Sequence, residues 1–204
     1  MRSTLALEVG DTESLARIGA EVAVTGFFRD QRPLRGGAGL VDWRLCGWFS
    51  RLLVAARAEG EVGDAVLTTT HGRLRAPRLL LLGLGSRQRY GADAHRAAVE
   101  RAVVRLVELG AGSAALDLPP PGAEGDLEST AAGIVEGACA ALDPHSLRFL
   151  LRVVATGGSA GRMRTALEHA ATAHPRGATS VRLVRPPAPG APPAGPTASR
   201  ASAR

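Results

Sequence analysis

A glycine-rich loop is the first stretch of the chain whose residue types could bind a ligand. It reads Arg35-Gly36-Gly37-Ala38-Gly39 and follows a strand predicted over residues 21–28. Backbone N–H groups at the start of a helix, approached closely through glycines, form a site for phosphate, and Arg32 and Arg35 would favour an anion. We expect Asp42 at the N-cap or in the first turn of the following helix, where a carboxylate opposes a second anion. The loop is therefore either a ligand site or a turn that the fold requires.

A second glycine pair, Gly83-Leu84-Gly85, follows another predicted strand. No third glycine completes a dinucleotide-binding fingerprint, and no acidic residue follows on a predicted strand about 20 residues later. Gly83 and Gly85 are candidate ligand-binding residues on position alone. The alternative is that two glycines allow a close turn from strand to helix.

The histidines and cysteines show no metal-binding pattern. His169 and His174 are five residues apart, whereas a spacing of four would place both on one helix face. We expect the five histidines to be solvated at the surface. Cys46 and Cys139 fall inside helical patterns and are predicted to be buried apolar residues rather than a disulfide or a metal pair. The sequence predicts neither a metal site nor a cofactor.

Positive charge is concentrated in the C-terminal third. All 25 basic residues are Arg, as in proteins from GC-rich genomes, and residues 144–204 hold nine of them against the single acid Glu168. The candidate basic surface comprises Arg148, Arg152, Arg162, Arg164, Arg182 and Arg185. Such a surface could bind nucleic acid through its phosphates without sequence specificity, because no aromatic residues are interleaved for base stacking. A loosely selected Arg-rich tail explains the same count.

Strands and helices alternate along the chain. Strands are predicted over residues 5–9, 21–28, 65–70, 78–82, 114–118, 147–156 and 180–184, and helices over 45–56, 93–106, 126–142 and 160–174. Several strands are uniformly apolar, which is typical of sheets covered on both faces. We therefore predict one α/β domain over residues 1–185, with three layers and a mixed, mostly parallel central sheet flanked by helices. Residues 186–204 are rich in Pro, Ala and Gly and are predicted to be a disordered tail.

One part of the chain carries a family resemblance. The run Arg32-Pro33-Leu34-Arg35-Gly36, the run from Gly39 to Gly47 reading GLVDWRLCG, Ser50, and the strand and turn RLLLLGLG resemble the N-terminal domain of the leucyl aminopeptidases over about residues 5–185. The resemblance implies a macro-like fold, in a domain that serves assembly of the enzyme rather than its chemistry. These 204 residues contain no Asn and no Lys, so neither the family's NTDAEGR signature nor its metal-bridging Lys occurs in them. We expect no peptidase activity from this chain by itself.

These observations lead to a non-catalytic domain that acts through protein association, with itself or with a partner such as a peptidase. Trp43, Trp48 and Phe49 could form either a core or an interface for that purpose. The first alternative is a macro-type binder of ADP-ribose or a related nucleotide at the loop of residues 36–39, and the second is nonspecific nucleic-acid binding. The N-terminus lacks the pattern of a secretory signal, and no apolar run is long enough to span a bilayer, so we expect a cytoplasmic protein without membrane contact.

Overall fold

An open seven-stranded sheet forms the centre of the protein. The computed structural model describes residues 2–10, 14–122, 126–155, 158–174 and 177–185, so the tail predicted over 186–204 lies outside the described residues. The strands are β1 (Ser3–Val9), β2 (Val22–Phe27), β3 (Ala65–Thr69), β4 (Arg78–Gly83), β5 (Ser113–Asp117), β6 (Arg148–Val153) and β7 (Thr179–Leu183). The helices are α1 (Gly36–Arg44), α2 (Trp48–Val54), α3 (Ala92–Glu108), α4 (Leu127–Leu142) and α5 (Ala160–Ala173).

The strand order is β3-β4-β2-β5-β6-β1-β7, and every neighbouring pair is parallel except β3 and β4. Only the short connection of residues 70–77 joins β3 to β4, and a connection without a crossover helix produces an antiparallel pair. Strand β1 lies between β6 and β7, with Thr4 opposite Arg148 on one side and Ser180 on the other. The predicted mixed, mostly parallel sheet is confirmed.

Side chains of the central strands alternate between two apolar clusters. In β4, Leu80 and Leu82 pack in the cluster beneath α3, α4 and α5, whereas Leu79 and Leu81 pack in the cluster beneath α1 and α2. The leucine run is therefore buried on both faces, as its composition predicted. We call α3, α4 and α5 the three-helix layer and α1 and α2 the two-helix layer.

The three-helix layer depends on a close approach of α3 and α4. A Cβ added at Gly137 of α4 would lie 3.0 Å from the Glu100 amide nitrogen and 3.0 Å from Val99 Cβ, and it would be closer still to the Arg96 carbonyl oxygen. One turn earlier, Gly133 leaves room for the His95 ring, whose Cδ2 would lie 2.7 Å from an added Cβ. The expectation that all histidines are solvated is wrong for His95, which is 1% exposed because this helix contact covers it.

The two-helix layer differs from the prediction. In place of one helix that begins near Asp42 and carries its apolar face over residues 45–56, α1 begins at Gly36, and a turn with left-handed backbone at Cys46 (φ 55°) and Gly47 (φ 72°) separates it from α2. The expectation that Cys46 is buried is wrong because this residue occupies the exposed turn, whereas Cys139 is buried in α4 as predicted.

The prediction that Asp42 begins a helix is also wrong. Asp42 lies near the end of α1, and its carboxylate accepts hydrogen bonds from the Ser50 amide (2.9 Å) and the Ser50 hydroxyl (2.5 Å). The carboxylate therefore accepts from an otherwise unpaired amide in the first turn of α2, which is the role of a capping residue. The first turn of α1 contains no acidic residue.

Candidate ligand-binding cleft

A cleft of about 690 Å³ opens at the carboxyl ends of β2, β5 and β6. Strands β2 and β5 are parallel neighbours, yet β2 leads to α1 in the two-helix layer and β5 leads to α4 in the three-helix layer. Neighbouring strands whose connections leave to opposite faces create a crevice between them, and open α/β sheets bind their ligands at such points. The topology of the sheet thus marks this cleft as the candidate site.

The start of α1 faces the cleft. Arg35 is the N-cap residue, no side chain in the described part of the chain caps the helix, and its first turn contains no acidic residue. The first amides of a helix have no partner within the helix, and they carry the positive end of its dipole. Asp42 lies about one and a half turns further along α1, so its carboxylate does not oppose the binding of an anion at the start of the helix.

Asp117, the last residue of β5, places a carboxylate beside this helix start. A Cβ added at Gly37 would lie 2.5 Å from Thr25 Oγ1 and would touch Asp117 Oδ2 even more closely, so only glycine fits there. The Thr25 hydroxyl donates to the Asp117 backbone carbonyl (2.9 Å), not to its carboxylate. Among the described residues, no ion pair or hydrogen bond reaches that carboxylate, and its burial raises the pKa of Asp117 to about 6.

Three arginines line the cleft. Arg87 is fixed in position: its guanidinium donates to the carbonyl oxygens of Pro120 (3.2 Å) and Gly122 (2.6 Å) and lies 5.2 Å from the centre of the Phe28 ring. Arg35 and Arg162 are exposed, next to the N-termini of α1 and α5. The mouth of the cleft therefore combines three cations and a helix N-terminus with one carboxylate.

The inner wall of the cleft is apolar and belongs to the three-helix side. It consists of Leu116, Leu118, Leu127, Ile134 and Met163. The His95 ring also lies in this wall, and burial lowers the pKa of His95, although the nearby carbonyl oxygens of Pro119 and Thr130 partly oppose the shift. His95 Nδ1 is 3.0 Å from the Tyr90 hydroxyl. Burial raises the pKa of Tyr90, so this hydroxyl stays protonated and can donate a hydrogen bond to the neutral His95 ring. A wall of this kind accommodates a flat, uncharged group.

The cleft brings together only some of the glycines predicted as ligand-binding. Gly36 and Gly37 line it with Arg35, and Gly39 follows in the first turns of α1, packed against the Leu34 carbonyl. Gly83 and Gly85 lie elsewhere: Gly85 donates its amide to the Gly60 carbonyl (2.8 Å), and a Cβ at Gly83 would lie 2.8 Å from Asp64 Cβ. Because these two glycines have no side chain, the loop of residues 60–64 can pack closely against them. Ligand binding by any of the five remains a prediction.

The predicted basic surface is not one surface. Arg152 is half-buried on the sheet, where its Nε lies 3.1 Å from Glu8 Oε1 and its Nη1 donates to the Gly19 carbonyl (2.7 Å). Arg148 and Arg182 alternate with residues of the three-helix cluster and therefore lie on the same sheet face as Arg152. Arg162 and Arg164 belong to α5, on the opposite face, and Arg185 follows β7. A continuous track for a nucleic acid backbone does not follow from this arrangement.

The described residues contain neither a cluster of metal-binding side chains nor a helix suited to cross a membrane. No group of three or more His, Cys, Asp or Glu side chains within them is arranged to hold a metal ion. In the same part of the chain, no helix has the length and apolar composition required to cross a membrane.

Comparison with solved structures shows the fold. A variant of tomato leucine aminopeptidase matches with a TM-score of 0.58 and 18% identity, covering 81% of this chain and 35% of that one. A variant macrodomain from Oceanobacillus iheyensis matches with a TM-score of 0.57 and 16% identity, covering 81% and 89%. Another variant of that macrodomain, solved with ADPR, matches with a TM-score of 0.55 and 13% identity, covering 81% and 90%. The chain therefore has a macro-like fold and spans about a third of the tomato enzyme.

Comparison of sequences gives the family. A search of curated proteins produced no match. The family model for the N-terminal domain of the cytosol aminopeptidase family matches residues 9–143, which extend from the end of β1 past α4 and include the whole glycine loop. On this match, which takes in well over half of the sequence, the chain belongs to the cytosol aminopeptidase family through its N-terminal domain.

Proposed function

We propose that the protein binds a nucleotide of the ADP-ribose type in the cleft. One observation carries the proposal: the start of α1, without a side-chain cap, faces a cleft of about 690 Å³ at the point where β2 and β5 send their connections to opposite faces. This reverses the order of the two main hypotheses from the sequence, because the structure removes Asp42 from the helix start. The shared fold with a macrodomain solved with ADPR suggests which nucleotide to test first.

The chemistry of the cleft suits the parts of such a ligand. A diphosphate is complementary to the free amides at the start of α1 and to the guanidinium groups of Arg35 and Arg162, which can bind it in a bidentate manner. The apolar wall offers a surface for a flat base. These contacts recognise a ligand without transforming it, so the proposal is for binding and not for catalysis.

Titration calorimetry with ADP-ribose tests the proposal. We expect wild-type protein to bind, and we expect Arg35→Ala and Arg162→Ala each to weaken binding about tenfold, since a hydrogen bond to a charged group contributes about 1.5 kcal/mol or more. Arg148→Ala is the matched control, because it removes the same charge from an exposed position at the amino end of β6, across the sheet from the cleft. Absence of binding by the wild type, or equal losses in all three variants, contradicts the proposal.

Protein association is the second candidate, and the two-helix layer favours it. Phe49 is fully buried and packs edge-on to Phe27 with ring centres 4.7 Å apart, and Trp48 is partly buried, so these two aromatics belong to the core. Trp43, in contrast, is 73% exposed near the end of α1, and Val54 is 89% exposed at the end of α2. Tryptophan is enriched at protein interfaces, so the exposed Trp43 is the residue that supports this candidate.

Sedimentation of the purified protein over a range of concentrations tests the association hypothesis. We expect self-association that Trp43→Ser weakens and that Leu67→Ser, at an exposed apolar position on edge strand β3, leaves unchanged. If the wild type stays monomeric and co-purifies with no stoichiometric protein, association is contradicted. If the Leu67 variant dissociates in place of the Trp43 variant, the interface lies at the sheet edge.

A further inference from the structure

The Asp117 carboxylate is a hydrogen-bond acceptor directed at the cleft. It lies against Gly37 in the first turn of α1 and is partly exposed, and within the described residues no ion pair or hydrogen bond reaches it. The neighbouring Thr25 hydroxyl is already committed to the Asp117 backbone carbonyl at 2.9 Å. A half-buried acceptor without a partner is complementary to a hydrogen-bond donor supplied by a ligand.

The charges around Asp117 restrict what that donor can be. Arg35 of α1, Arg87 after β4 and Arg162 of α5 line the same cleft, so a cationic ligand would meet three like charges. A small anion would be attracted by the arginines but repelled by Asp117 at the start of α1. A ligand that carries neutral hydroxyl groups at one end and phosphates further along satisfies both conditions. Dinucleotide-binding folds use the same pairing when a carboxylate at a strand end binds ribose hydroxyls.

We infer that Asp117 is a specificity-determining residue, which accepts hydrogen bonds from sugar hydroxyls of the bound nucleotide and disfavours simple anions, because these offer no hydroxyl group to offset its charge. The inference rests on the proposed function, since it assigns a place to one part of the same ligand. It also makes an independent statement, because the exclusion of small anions can be measured without any nucleotide.

Calorimetry at pH about 8 with two probes tests the inference. Asp117→Asn retains the shape of the side chain and removes its charge, and the Thr25 hydrogen bond survives because it involves the backbone. We expect this variant to bind ADP-ribose about tenfold more weakly and pyrophosphate several-fold more tightly. Glu108→Gln is the matched control: it removes one negative charge from an exposed position at the end of α3, the other end of that helix from His95, and should change neither affinity.

Each outcome of this experiment decides something. If the wild type binds ADP-ribose and Asp117→Asn binds it equally well or better, the inference is overturned while the proposed function stands. If the wild type does not bind ADP-ribose, the nucleotide proposal and the sugar contact both fail. The exclusion of anions then stands or falls with pyrophosphate, which must bind the variant more tightly than the wild type.

The pH dependence of binding provides a second readout. The affinity of the wild type for ADP-ribose should fall as the pH is lowered from about 8 to about 5, because protonation of Asp117 weakens it as an acceptor. Of the other groups facing the cleft, Arg35, Arg87 and Arg162 stay charged over this range, and burial holds the pKa of His95 below its usual value. The affinity of the Asn variant should therefore be nearly constant. An equal pH dependence in the variant would assign the effect to another group and overturn the inference.

Discussion

The two layers that cover the sheet are built in different ways. Helices α3, α4 and α5 contain 17, 16 and 14 residues, and their apolar stripes pack continuously on the strands. Helices α1 and α2 contain 9 and 7 residues and are joined by a left-handed turn. A long amphipathic helix derives its stability from packing, whereas a short helix is marginal without local polar contacts. The three-helix layer therefore supplies most of the rigidity of the domain.

The two-helix layer carries the candidate partner surface and one side of the cleft. The free start of α1 and the exposed Trp43 and Val54 all lie there. Segments with few buried contacts open more readily than the core, and binding elements are often drawn from them. The comparison teaches that the three-helix layer acts as scaffold and supplies the apolar wall of the cleft, while the two-helix layer carries the free helix start and the exposed apolar side chains. Three stability experiments test this division.

The largest effect is expected in the three-helix layer. Gly137→Ala should lower the free energy of unfolding by about 3 kcal/mol, because the added Cβ meets the backbone of α3 at Arg96 and Glu100, which cannot move aside cheaply. Urea denaturation measures the change. Gly161→Ala in α5 is the matched control: an added Cβ meets no atom of the described residues within 4 Å there, so the protein should become more stable by about 0.5–1 kcal/mol. Similar results for both glycines would show that α3 and α4 are not closely packed.

An intermediate effect is expected at Asp117, between the layers. Its pKa in the folded protein is about 6, above that of an Asp in the unfolded chain, so the folded state holds this proton more tightly. Stability from this residue is thus fully present below about pH 4 and is lost as the pH rises through about 6, and the loss amounts to at most about 3 kcal/mol. Asp117→Asn should remove this loss and be the more stable protein at pH about 8.

Urea unfolding of both proteins at a series of pH values checks the Asp117 prediction. The difference between the wild type and the variant should grow from acid to neutral pH and then level off. A constant difference would mean that the carboxylate has a solvated environment in the folded state. The cleft would then be more open to water than its lining indicates.

The smallest of the three effects is expected in the two-helix layer. Asp42→Ala should cost about 1 kcal/mol, because the Ser50 amide and hydroxyl lose their acceptor. Hydrogen exchange should localise the loss to α2. Asp93→Ala is the matched control, since Asp93 is exposed in the first turn of α3 and should contribute only a few tenths of a kcal/mol through the helix dipole. Protection lost throughout the sheet in the Asp42 variant would contradict the division into scaffold and weaker layer.

The elements of the three-helix layer were also predicted more accurately from the sequence than those of the two-helix layer. Val99, Val103 and Leu106 recur at helical spacing in α3, and the helix predicted over 126–142 is α4, which Asp126 caps through the amides of Glu128 and Ser129. Strand positions were correct to within a few residues, because uniformly apolar runs bounded by glycine or charge are strong indicators of buried strands. The mixed, mostly parallel sheet followed from these alternating elements.

The features that sequence reasoning missed depend on contacts between distant segments. Helix α1 starts within Gly36-Gly37-Ala38-Gly39, which has poor helix propensity, and burial of Ala38 and Val41 against the sheet overrides that preference. Asp117 was not singled out from the sequence, where it lies inside the strand predicted over residues 114–118. Its importance arises because β5 lies beside β2, and residue spacing alone does not reveal the order of strands. The sequence feature that could have identified Asp117 is an acidic residue at the end of an otherwise apolar strand.

The position of β1 has a consequence for how the chain folds. Leu5 and Leu7 are fully buried, and among the described strands β1 pairs with β6 and β7, so it can join the sheet only after the ribosome has made β6. Strand β1 thus waits through the synthesis of β2 to β5 before a strand is available to pair with it. Contacts so distant in sequence slow folding and expose apolar segments to aggregation. In this protein the sheet is completed when its first and last strands meet.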